Sequence, residues 1–524
     1  MKLVINVVLL LSLIGCGSGT NSEGATGSAD QNNAPATWTQ QAYLKAANSN
    51  ANQSYGYSTA IDGDTIVVGA LSEDSNQTTI TNGTTASNDT SMNAAGAAYV
   101  YVRNGTSWTQ QAYIKAANAR ASGYFGTSVA ISGDTIAVGS YAESSGQTTI
   151  TNGTGTSSDT SAPSAGAAYI YTRTGGAWAQ QAYIKASNAG TGDRFGTNIA
   201  LEGDTLVVGA GFEPSNQTTI TNGTTASNDN SVPRSGAAYV FNRNGNMWAQ
   251  EAYLKPPNTD TEDRFGYSVS ISGNTIVATS IWESSNQTTI TNGPTASADN
   301  SASHAGAAYV FVKVGGNWEQ QAYLKAANAE ANDAYGVSAA ISGDTIVVGA
   351  YWESSNQTTI SNGVLASNDN SATHAGAAYV YTRTGSNWSQ QAYLKAANAL
   401  ANNWYGYRVA IDGDTLVIGS QQESSNQVTI TNDATASSDT SASHAGAAYV
   451  YARTGTTWAQ KAYVKASNAR TNYLFSSSLA ISQKTIVIGS SDEASAQNTI
   501  TNGPTSSSDS SAAKAGAAYV YSYQ

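Results

Sequence analysis

Short runs of β-branched and aromatic residues, separated by glycine-rich turns, recur along the chain. Residues 128–131 and 135–138 form two such runs, and Ser132-Gly133-Asp134 lies between them. Glycine accepts positive φ and aspartate can bond its own backbone, so this stretch predicts two strands joined by a tight turn. Residues 166–171 and 178–185 form two further runs. The pattern therefore predicts four short strands, which we name A, B, C and D in that order.

This four-strand unit repeats at a fixed period. One tryptophan opens each copy of strand D, and each follows the previous one by 70 residues: Trp38, Trp108, Trp178, Trp248, Trp318, Trp388 and Trp458. A fixed period with several strands per unit indicates stacked or radial repeats. Strand D is predicted to be a half-exposed outer strand, because its side chains divide between two sides. One side has Trp178, Gln180, Ala182 and Ile184, and the other has Ala179, Gln181, Tyr183 and Lys185. The last A–B turn has Gln483-Lys484 in place of glycine and is expected to differ.

The order of the strands predicts a closed ring. The repeat region begins with a lone strand D at 38–45 and ends with an A-B-C set at 475–523. The first strand can therefore complete the last unit and remove two free sheet edges. We predict an all-β fold, a seven-bladed β-propeller of four-stranded antiparallel blades, closed by the N-terminal strand in the last blade.

The start of strand A carries a recurring Phe-Gly pair, followed later by Gly-Ala. The first pair is present as Phe125-Gly126, Phe195-Gly196 and Phe265-Gly266, has tyrosine at Tyr55, Tyr335 and Tyr405, and is lost at Phe475-Ser476. Residues 38–524 resemble the FG-GAP repeats of integrin α chains and bacterial surface proteins. The resemblance implies a seven-bladed propeller used for binding and not for catalysis. Its calcium loop is not expected here, because the A–B connection is too short to surround a cation that needs 6–8 oxygen ligands.

The N-terminus predicts export and lipidation. Residues 1–15 read as a signal peptide, because Lys2 precedes an apolar run too short to span a membrane. Leu13-Ile14-Gly15-Cys16 resembles the lipobox of bacterial lipoproteins, with Cys16 as the acylated residue; the alternative is an ordinary signal with a stray cysteine. Residues 16–37 are rich in Gly, Ser and Asn and predict a flexible tether. We expect a cell-envelope protein held on a membrane, at the outer membrane or cell surface, by its lipid.

Charge and composition narrow the partners. The net charge is −12 and charged residues make up 11% of the chain, so no basic surface for nucleic acid is expected. Cys16 is the single cysteine, so no disulfide is predicted. No cofactor is predicted.

The two ends of the predicted propeller differ. The A–B and C–D turns are short and share one end, which we name the turn face. The B–C connection, about 141–164, and the D–A connection, about 186–194, are long and share the other end, the loop face. Long loops on a rigid scaffold commonly carry binding, so we expect function on the loop face.

Each B–C connection contains one early glutamate and one late aspartate. The glutamates are Glu73, Glu143, Glu213, Glu283, Glu353, Glu423 and Glu493, and the aspartates are Asp89, Asp159, Asp229, Asp299, Asp369, Asp439 and Asp509. One interpretation is a cation site in each blade. The other, which we favour, is that these groups bond the loop backbone, because two carboxylates are few for calcium.

Departures from the repeat identify candidate ligand-binding residues. The three histidines His304, His374 and His444 occupy one repeat position, and Trp282, Trp352 and Trp404 also break the pattern. Equivalent positions in a seven-bladed ring lie about 13 Å apart at a radius of roughly 15 Å, which excludes a metal shared between them. Together these residues predict a recognition patch for a glycan or a protein, or else packing between adjacent blades.

The leading functional interpretation is a surface-anchored binding or adhesion module and not an enzyme. A glycan-active propeller enzyme is the alternative, since paired carboxylates can cleave glycans. A purely structural envelope protein is the third. The carboxylates repeat in every blade, whereas an enzyme site normally breaks the repeat symmetry with a few unique acids and bases.

Overall fold

The computed structural model describes residues 36–524, which fold into strands and turns arranged around a central channel. Within this range no helix is long and apolar enough to cross a membrane. The predicted signal peptide, Cys16 and the predicted tether up to residue 35 lie outside the described residues.

Four strand positions recur in every blade, and blades are numbered here by the order of their strand A. Strand A is innermost and comprises β2 (Tyr55–Asp62), β7 (Val129–Ser132), β12 (Asn198–Glu202), β17 (Phe265–Ser272), β22 (Tyr335–Ser342), β27 (Tyr405–Asp412) and β31 (Phe475–Ser482). Strand B comprises β3 (Thr65–Ala70), β8 (Thr135–Ser140), β13 (Thr205–Ala210), β18 (Thr275–Ser280), β23 (Thr345–Ala350), β28 (Thr415–Ser420) and β32 (Thr485–Ser490). Strand C comprises β5 (Ala97–Asn104), β10 (Ala167–Thr174), β15 (Ala237–Asn244), β20 (Ala307–Val314), β25 (Ala377–Thr384), β29 (Ala447–Thr454) and β34 (Ala517–Tyr523). Strand D comprises β6 (Ser107–Ile114), β11 (Ala177–Ile184), β16 (Met247–Leu254), β21 (Asn317–Leu324), β26 (Asn387–Leu394), β30 (Thr457–Val464) and, in blade seven, β1 (Trp38–Leu44).

The ring closes through the first strand. In blade seven the order is β31-β32-β34-β1, and β1 pairs antiparallel with β34, with Trp38 opposite Tyr523. Thr37 N donates to Gln524 O at 2.6 Å, and Gln524 N returns a bond to Thr37 O at 3.0 Å. The predicted all-β seven-bladed propeller and its N-terminal closure are confirmed.

A fifth, two-residue strand at the outer edge was not predicted. It comes from the B–C connection and pairs with strand D of its own blade; its copies are β4 (Thr81–Asn82), β9 (Thr151–Asn152), β14 (Thr221–Asn222), β19 (Thr291–Asn292), β24 (Ser361–Asn362) and β33 (Thr501–Asn502). In blade six a single bridge between Thr431 and Tyr463 takes its place. This short strand gives partners to backbone groups of strand D that an edge would leave unpaired.

The asparagine of this fifth strand also ties each blade to the next one. Trp178 N donates to Asn82 Oδ1 at 2.7 Å, and Asn82 Nδ2 donates to Trp178 O at 3.1 Å. The same two bonds occur at every blade interface, including Asn432 with Trp38 across the ring closure. The prediction that the whole B–C connection lies on the loop face is therefore wrong. Its middle runs down the outer edge, because strand D offers unpaired backbone there.

Strand D does not alternate along its whole length. In β11, Trp178 is buried and Ala179 exposed, but Ala182, Tyr183, Ile184 and the following Lys185 are all buried. The register of β11 against β10 shifts between Ala182 and Gln180, where a bulge inserts one residue. The half-exposed strand predicted from the sequence is thus half-exposed only before the bulge.

The hydrophobic core lies between blades. Seven buried clusters each combine residues of two consecutive blades; in one, Val67 and Val100 of blade one pack with Ile136 and Val138 of blade two. Burying an aliphatic side chain of this size contributes about 1.5–3 kcal/mol. Every blade therefore depends on both neighbours for its core.

The A–B turns follow the predicted chemistry. Glycine has positive φ in six of them, as in Gly133 at 54°, while Gln483 and Lys484 of blade seven both have positive φ, 47° and 62°. Positive φ at both central residues distinguishes a type I′ turn from a type II′ turn, in which only the first has it. The expected difference in the seventh turn is confirmed.

Candidate recognition site on the loop face

The repeated glutamates of the B–C connections are engaged by protein groups. In blade five, Glu353 accepts hydrogen bonds from Lys395 Nζ at 2.7 Å, Tyr393 Oη at 2.8 Å and Asn328 Nδ2 at 3.2 Å. Burial lowers the pKa of Lys395, and the Glu353 carboxylate opposes this effect. The buried pair recurs in every blade: Lys45–Glu493, Lys115–Glu73, Lys185–Glu143, Lys255–Glu213, Lys325–Glu283, Lys395–Glu353 and Lys465–Glu423.

The late aspartates bond their own loops, as the favoured interpretation holds. Asp369 accepts the backbone N–H of Asn356 at 2.9 Å and the hydroxyl of Ser371 at 2.9 Å. The backbone bond from Asn356, followed by the bond from Ser371, lowers the pKa of Asp369. Residues 36–524 contain no cluster of three or more His, Cys, Asp or Glu side chains placed to hold a metal ion. The contacts therefore assign both repeated carboxylates a role in shaping the loops.

Trp282 and His304 are brought together in blade four. Their rings stack with centroids 4.7 Å apart, and the Arg264 guanidinium lies over Trp282, 3.3 Å from its centroid. Arg264 also forms an ion pair with Glu262 at 3.7 Å. The indole thus lies between a cation and an imidazole, and this packing limits the ring surface open to a ligand.

Blade five repeats the arrangement with Trp352 and His374. Their rings stack with centroids 5.4 Å apart, and Tyr351 packs on Trp352 at 4.7 Å. The indole Nε1 of Trp352 is buried and has no hydrogen-bond partner among the described residues.

The remaining two predicted residues do not form such a pair. The Trp404 ring packs against the rings of Tyr351 and Tyr407, with centroids 5.3 Å and 6.0 Å away, so it joins blade six to blade five. His444 contributes Nδ1 to a hydrogen bond with Asn472 Oδ1 at 3.2 Å. The structure therefore brings Trp282, Trp352 and Trp404 into one half of the loop face and leaves His444 at its margin.

Aromatic packing continues into blades two and three. Tyr124 stacks on Tyr141 with ring centroids 5.2 Å apart. The Arg194 guanidinium lies over both Tyr141 and Phe212, 5.7 Å and 4.1 Å from their ring centroids. Arg264 then lies over Phe212 at 4.8 Å. We name this set of rings, which extends over blades two to six, the aromatic arc: Tyr124, Tyr141, Phe212, Trp282, Tyr351, Trp352 and Trp404.

The arc borders the loop-face end of the central channel. The channel is a cavity of about 400 Å³ lined by the strand A residues of all seven blades. Tyr57, Tyr267, Tyr407 and Arg408 lie at this end, which we name the channel mouth. Burial raises the pKa of Tyr57, and the nearby Tyr407 adds to the rise. Burial alone lowers the pKa of Arg408, but Tyr407, Tyr267 and Tyr57 raise it above its ordinary value.

Sequence reasoning missed the channel mouth. Tyr57, Tyr267 and Tyr407 share one repeat position that elsewhere holds Thr127, Thr197, Val337 and Ser477, and Arg408 stands where five blades have serine and one has Asn198. The comparison of repeat positions that singled out the histidines finds these residues too. Their significance depends on the ring, which brings blades one, four and six to a common axis.

Three buried aspartates lie directly before residues of this region. Asp193 precedes Arg194, Asp263 precedes Arg264, and Asp333 stands at the same position in blade five. Burial, as the largest cause, raises the pKa of Asp193 to about 7, of Asp263 to about 8 and of Asp333 to about 8. Their hydrogen bonds hold the D–A connections; Asp333 Oδ2 accepts Glu330 N at 2.9 Å.

The fold and this surface define a closed seven-bladed β-propeller that is consistent with a binding module. The FG-GAP repeat family model matches six segments, at residues 38–101, 108–171, 178–241, 248–311, 318–381 and 388–451, and the chain belongs to this family.

Comparison with other proteins adds little beyond the family. No curated protein matches the chain. Among solved structures, a protein assigned as a 6-phosphogluconolactonase from Bacteroides uniformis is 8% identical, with 78% of this chain and 85% of that one covered and a TM-score of 0.39. An acylaminoacyl peptidase is 9% identical, with 87% of this chain but only 50% of the peptidase covered and a TM-score of 0.38. Both similarities are too distant to bear on activity.

Proposed function

We propose that this protein is a surface-anchored binding module whose propeller holds its ligand on the loop face. One observation carries the proposal: chemically distinctive departures from the repeat gather around one end of the channel. The aromatic arc and the channel mouth supply tyrosine, tryptophan and arginine, the residue types enriched at binding hot spots. Small, aliphatic or other polar residues occupy the same repeat positions in the other blades, such as Ser72, Leu71 and Leu474.

The carboxylates favour binding over catalysis. A glycan-cleaving site needs an acid and a base that are free to act on the substrate. The repeated glutamates are instead held by buried lysines, as Glu353 is by Lys395, and the repeated aspartates by loop backbone. We therefore propose that the propeller recognises its ligand without transforming it.

Membrane anchoring through Cys16 is the second part of the proposal. The described chain enters the propeller at Thr37, next to strand D, at the end where the turns lie. An anchor that reaches the propeller there leaves the loop face open to a ligand. Growth of the host with an alkyne-tagged palmitate tests the anchor: the wild-type chain is expected to take up the label and Cys16→Ser to lose it. Equal labelling of both contradicts lipidation at this residue.

A binding screen tests the recognition site. The full chain is applied to glycan and protein arrays beside the triple variant Trp282→Ala, Trp352→Ala, Trp404→Ala. We expect the wild type to bind a defined ligand and the triple variant to lose it while keeping its circular-dichroism spectrum. Trp458→Ala is the matched control, because this tryptophan is buried beside Arg453 at the turn face. Unchanged binding with reduced stability of the triple variant indicates that the arc serves packing alone.

A further inference from the structure

The channel mouth holds three large side chains at a repeat position that is otherwise small. Tyr57, Tyr267 and Tyr407 belong to blades one, four and six, which are spread nearly evenly around the ring. The other four blades have Thr127, Thr197, Val337 and Ser477 at this position. The small residues leave room for the three tyrosines to extend toward the axis.

Arg408 is the single charged residue among the described residues that line the channel. Serine is the residue of this position in most blades, and its hydroxyl bonds the backbone of the next blade. Ser58 donates to Gly126 O at 2.8 Å, whereas Ser268 accepts from Ala339 N at 3.1 Å. Arg408 keeps the link to the next blade through Nε, which donates to Ser477 O at 3.1 Å. Its Nη1 donates to Tyr407 O at 3.2 Å, and its guanidinium lies 4.3 Å from the centre of the Tyr407 ring.

The donors of the mouth are only partly used. Within residues 36–524, Nη2 of Arg408 makes no hydrogen bond and the guanidinium makes no ion pair. The hydroxyls of Tyr57 and Tyr267 also lack hydrogen-bond partners among these residues, whereas the Tyr407 side chain interacts with Arg408. Tyr57 is 39% exposed, and Arg408 is half-buried. A partly desolvated cation without a carboxylate partner is costly unless water or a ligand supplies the compensating charge.

We propose that the channel mouth binds an oxyanion, the carboxylate or sulfate group of an acidic glycan, with Arg408 as its cation. This inference rests on the proposed function and names the ligand class for the same face. A guanidinium pairs with planar or tetrahedral oxyanions through charge-assisted hydrogen bonds. The three phenols donate further hydrogen bonds to the sugar or to its anionic group.

The surroundings of the mouth favour a glycan over a protein partner. Protein interfaces need buried apolar anchors, but most large exposed hydrophobic residues of the described chain lie elsewhere. They are Met247, Val314 and Tyr523 at the turn face, Val364, Leu365 and Val428 in B–C connections, and Leu400 in a D–A connection. A peptide strand also finds few free edges at strand A, because side chains of adjacent blades cap backbone N–H groups there, as Ser268 Oγ does for Ala339 N at 3.1 Å.

The variant Arg408→Ser is suited to test the site. It installs the residue that blades one, two, four, five and seven already carry, so the fold tolerates it. Arg120→Asn is the control: it removes one charge from a D–A connection away from the mouth and installs the residue found at Asn50. Any difference between the two variants therefore reports on position and not on net charge.

Calorimetric titration of the full chain uses two matched probe pairs. Trigalacturonate is compared with its fully methyl-esterified form, and a sulfated carrageenan tetrasaccharide with its desulfated form. For the wild type and Arg120→Asn we expect at least one charged probe to bind about tenfold or more tightly than its neutral match. Arg408→Ser is expected to abolish that preference. The pair that shows it identifies the carboxylate or the sulfate as the anion.

Four results overturn the inference. Equal binding of charged and neutral probes, unaffected by Arg408→Ser, leaves the loop-face proposal standing but removes the oxyanion. Binding of pentaglutamate through Arg408, with no binding of either charged saccharide, assigns a peptide ligand instead. A selenate peak at Arg408 in soaked crystals, without charged-saccharide binding, marks an adventitious ion only. Absence of binding to every probe also overturns the inference. If the triple tryptophan variant in addition behaves as the wild type on the arrays, the proposed function is contradicted too.

Discussion

The buried end of strand D and the channel mouth show opposite behaviour across the seven blades. At the first, every blade has the same Lys–Glu pair, as in Lys395 and Glu353. At the second, Arg408 occurs once and its tyrosines in three blades. Residues that recur in every blade make the contacts that each blade needs in order to fold against its neighbours. Residues that vary between blades form a surface that is present only once in the molecule.

The comparison also separates two kinds of ion pair. Lys395 and Glu353 have side-chain exposures of 0% and 2%, whereas Arg383 and Asp344, on the turn face, have 18% and 65%. Water screens the second pair but scarcely reaches the first. Equal geometry in the two pairs therefore corresponds to unequal energetic consequences when one partner is removed.

The largest expected effect comes from breaking a buried pair. Glu353→Ala leaves the Lys395 ammonium buried without its carboxylate and is expected to lower the free energy of unfolding by about 3–5 kcal/mol. The matched control Asp344→Ala removes the carboxylate of the exposed pair and is expected to cost about 0–1 kcal/mol. Urea unfolding followed by fluorescence measures both. Similar losses from the two variants contradict the distinction.

A change in the pH dependence of stability is the next expected effect. Asp333 has its pKa raised to about 8, mainly by burial, so the folded chain keeps it protonated where the unfolded chain does not. Its contribution to stability is complete below its ordinary pKa and is lost as the pH rises through about 8. Asp333→Asn, which matches Asn403 of blade six, is therefore expected to raise the urea midpoint relative to wild type at pH 9 more than at pH 5.

Asp369→Asn provides the opposite case for that measurement. Hydrogen bonds lower the pKa of Asp369, so its contribution is present above its ordinary pKa and is lost as the pH falls through the lowered value. The variant is expected to shift the midpoint equally at pH 5 and pH 9. A wild-type midpoint that rises between these pH values relative to Asp333→Asn contradicts the assignment of the buried aspartate.

A smaller effect is expected within the aromatic arc. Arg264→Ala removes the guanidinium that lies over Trp282 and is expected to cost about 0.5–2 kcal/mol of stability. Glu262→Gln is the control, because it removes the ion pair with Arg264 at 3.7 Å, together with the more exposed pair with Arg234 at 3.1 Å, but leaves the Arg264 cation on the ring. The urea midpoints of the two variants show whether the cation on the Trp282 ring or the ion pair with Glu262 contributes more to stability. An equal cost shows that the ion pair and not the stacking stabilises the arc.

The closed ring could be predicted from the sequence because the order of strands A to D along the chain indicates it. A lone strand D at Trp38 and an unfinished A-B-C set ending at Tyr523 require each other, whatever the side chains contact. The outer two-residue strand was not predictable in this way. Thr151 and Asn152 have no strand pattern of their own, and they pair only because Tyr183 and Ala182 present an unpaired edge.

The burial of the lysine that follows strand D was also not predicted from the pattern of side chains along that strand. Lys185 follows an alternating strand and was expected on its half-exposed side, but a bulge and the Glu143 carboxylate place it inside. The candidate site was predicted in part: Trp282 and Trp352 were found as departures from the repeat, with His304 and His374 beside them. Tyr57 was not found, because among 30 tyrosines its position has meaning only once the ring places it opposite Tyr267 and Tyr407.

The central claim is that the repeated contacts stabilise the propeller, whereas the residues of the channel mouth bind its ligand. One pair of measurements on a single variant tests this claim most directly. The variant Tyr57→Thr, Tyr267→Thr, Tyr407→Thr, Arg408→Ser returns the mouth to residues that other blades carry. Its urea midpoint and its binding of the preferred charged saccharide are measured beside the wild type. We predict a nearly unchanged midpoint and the loss of saccharide binding. Retained binding, or unfolding of the variant under conditions where the wild type is stable, contradicts the account.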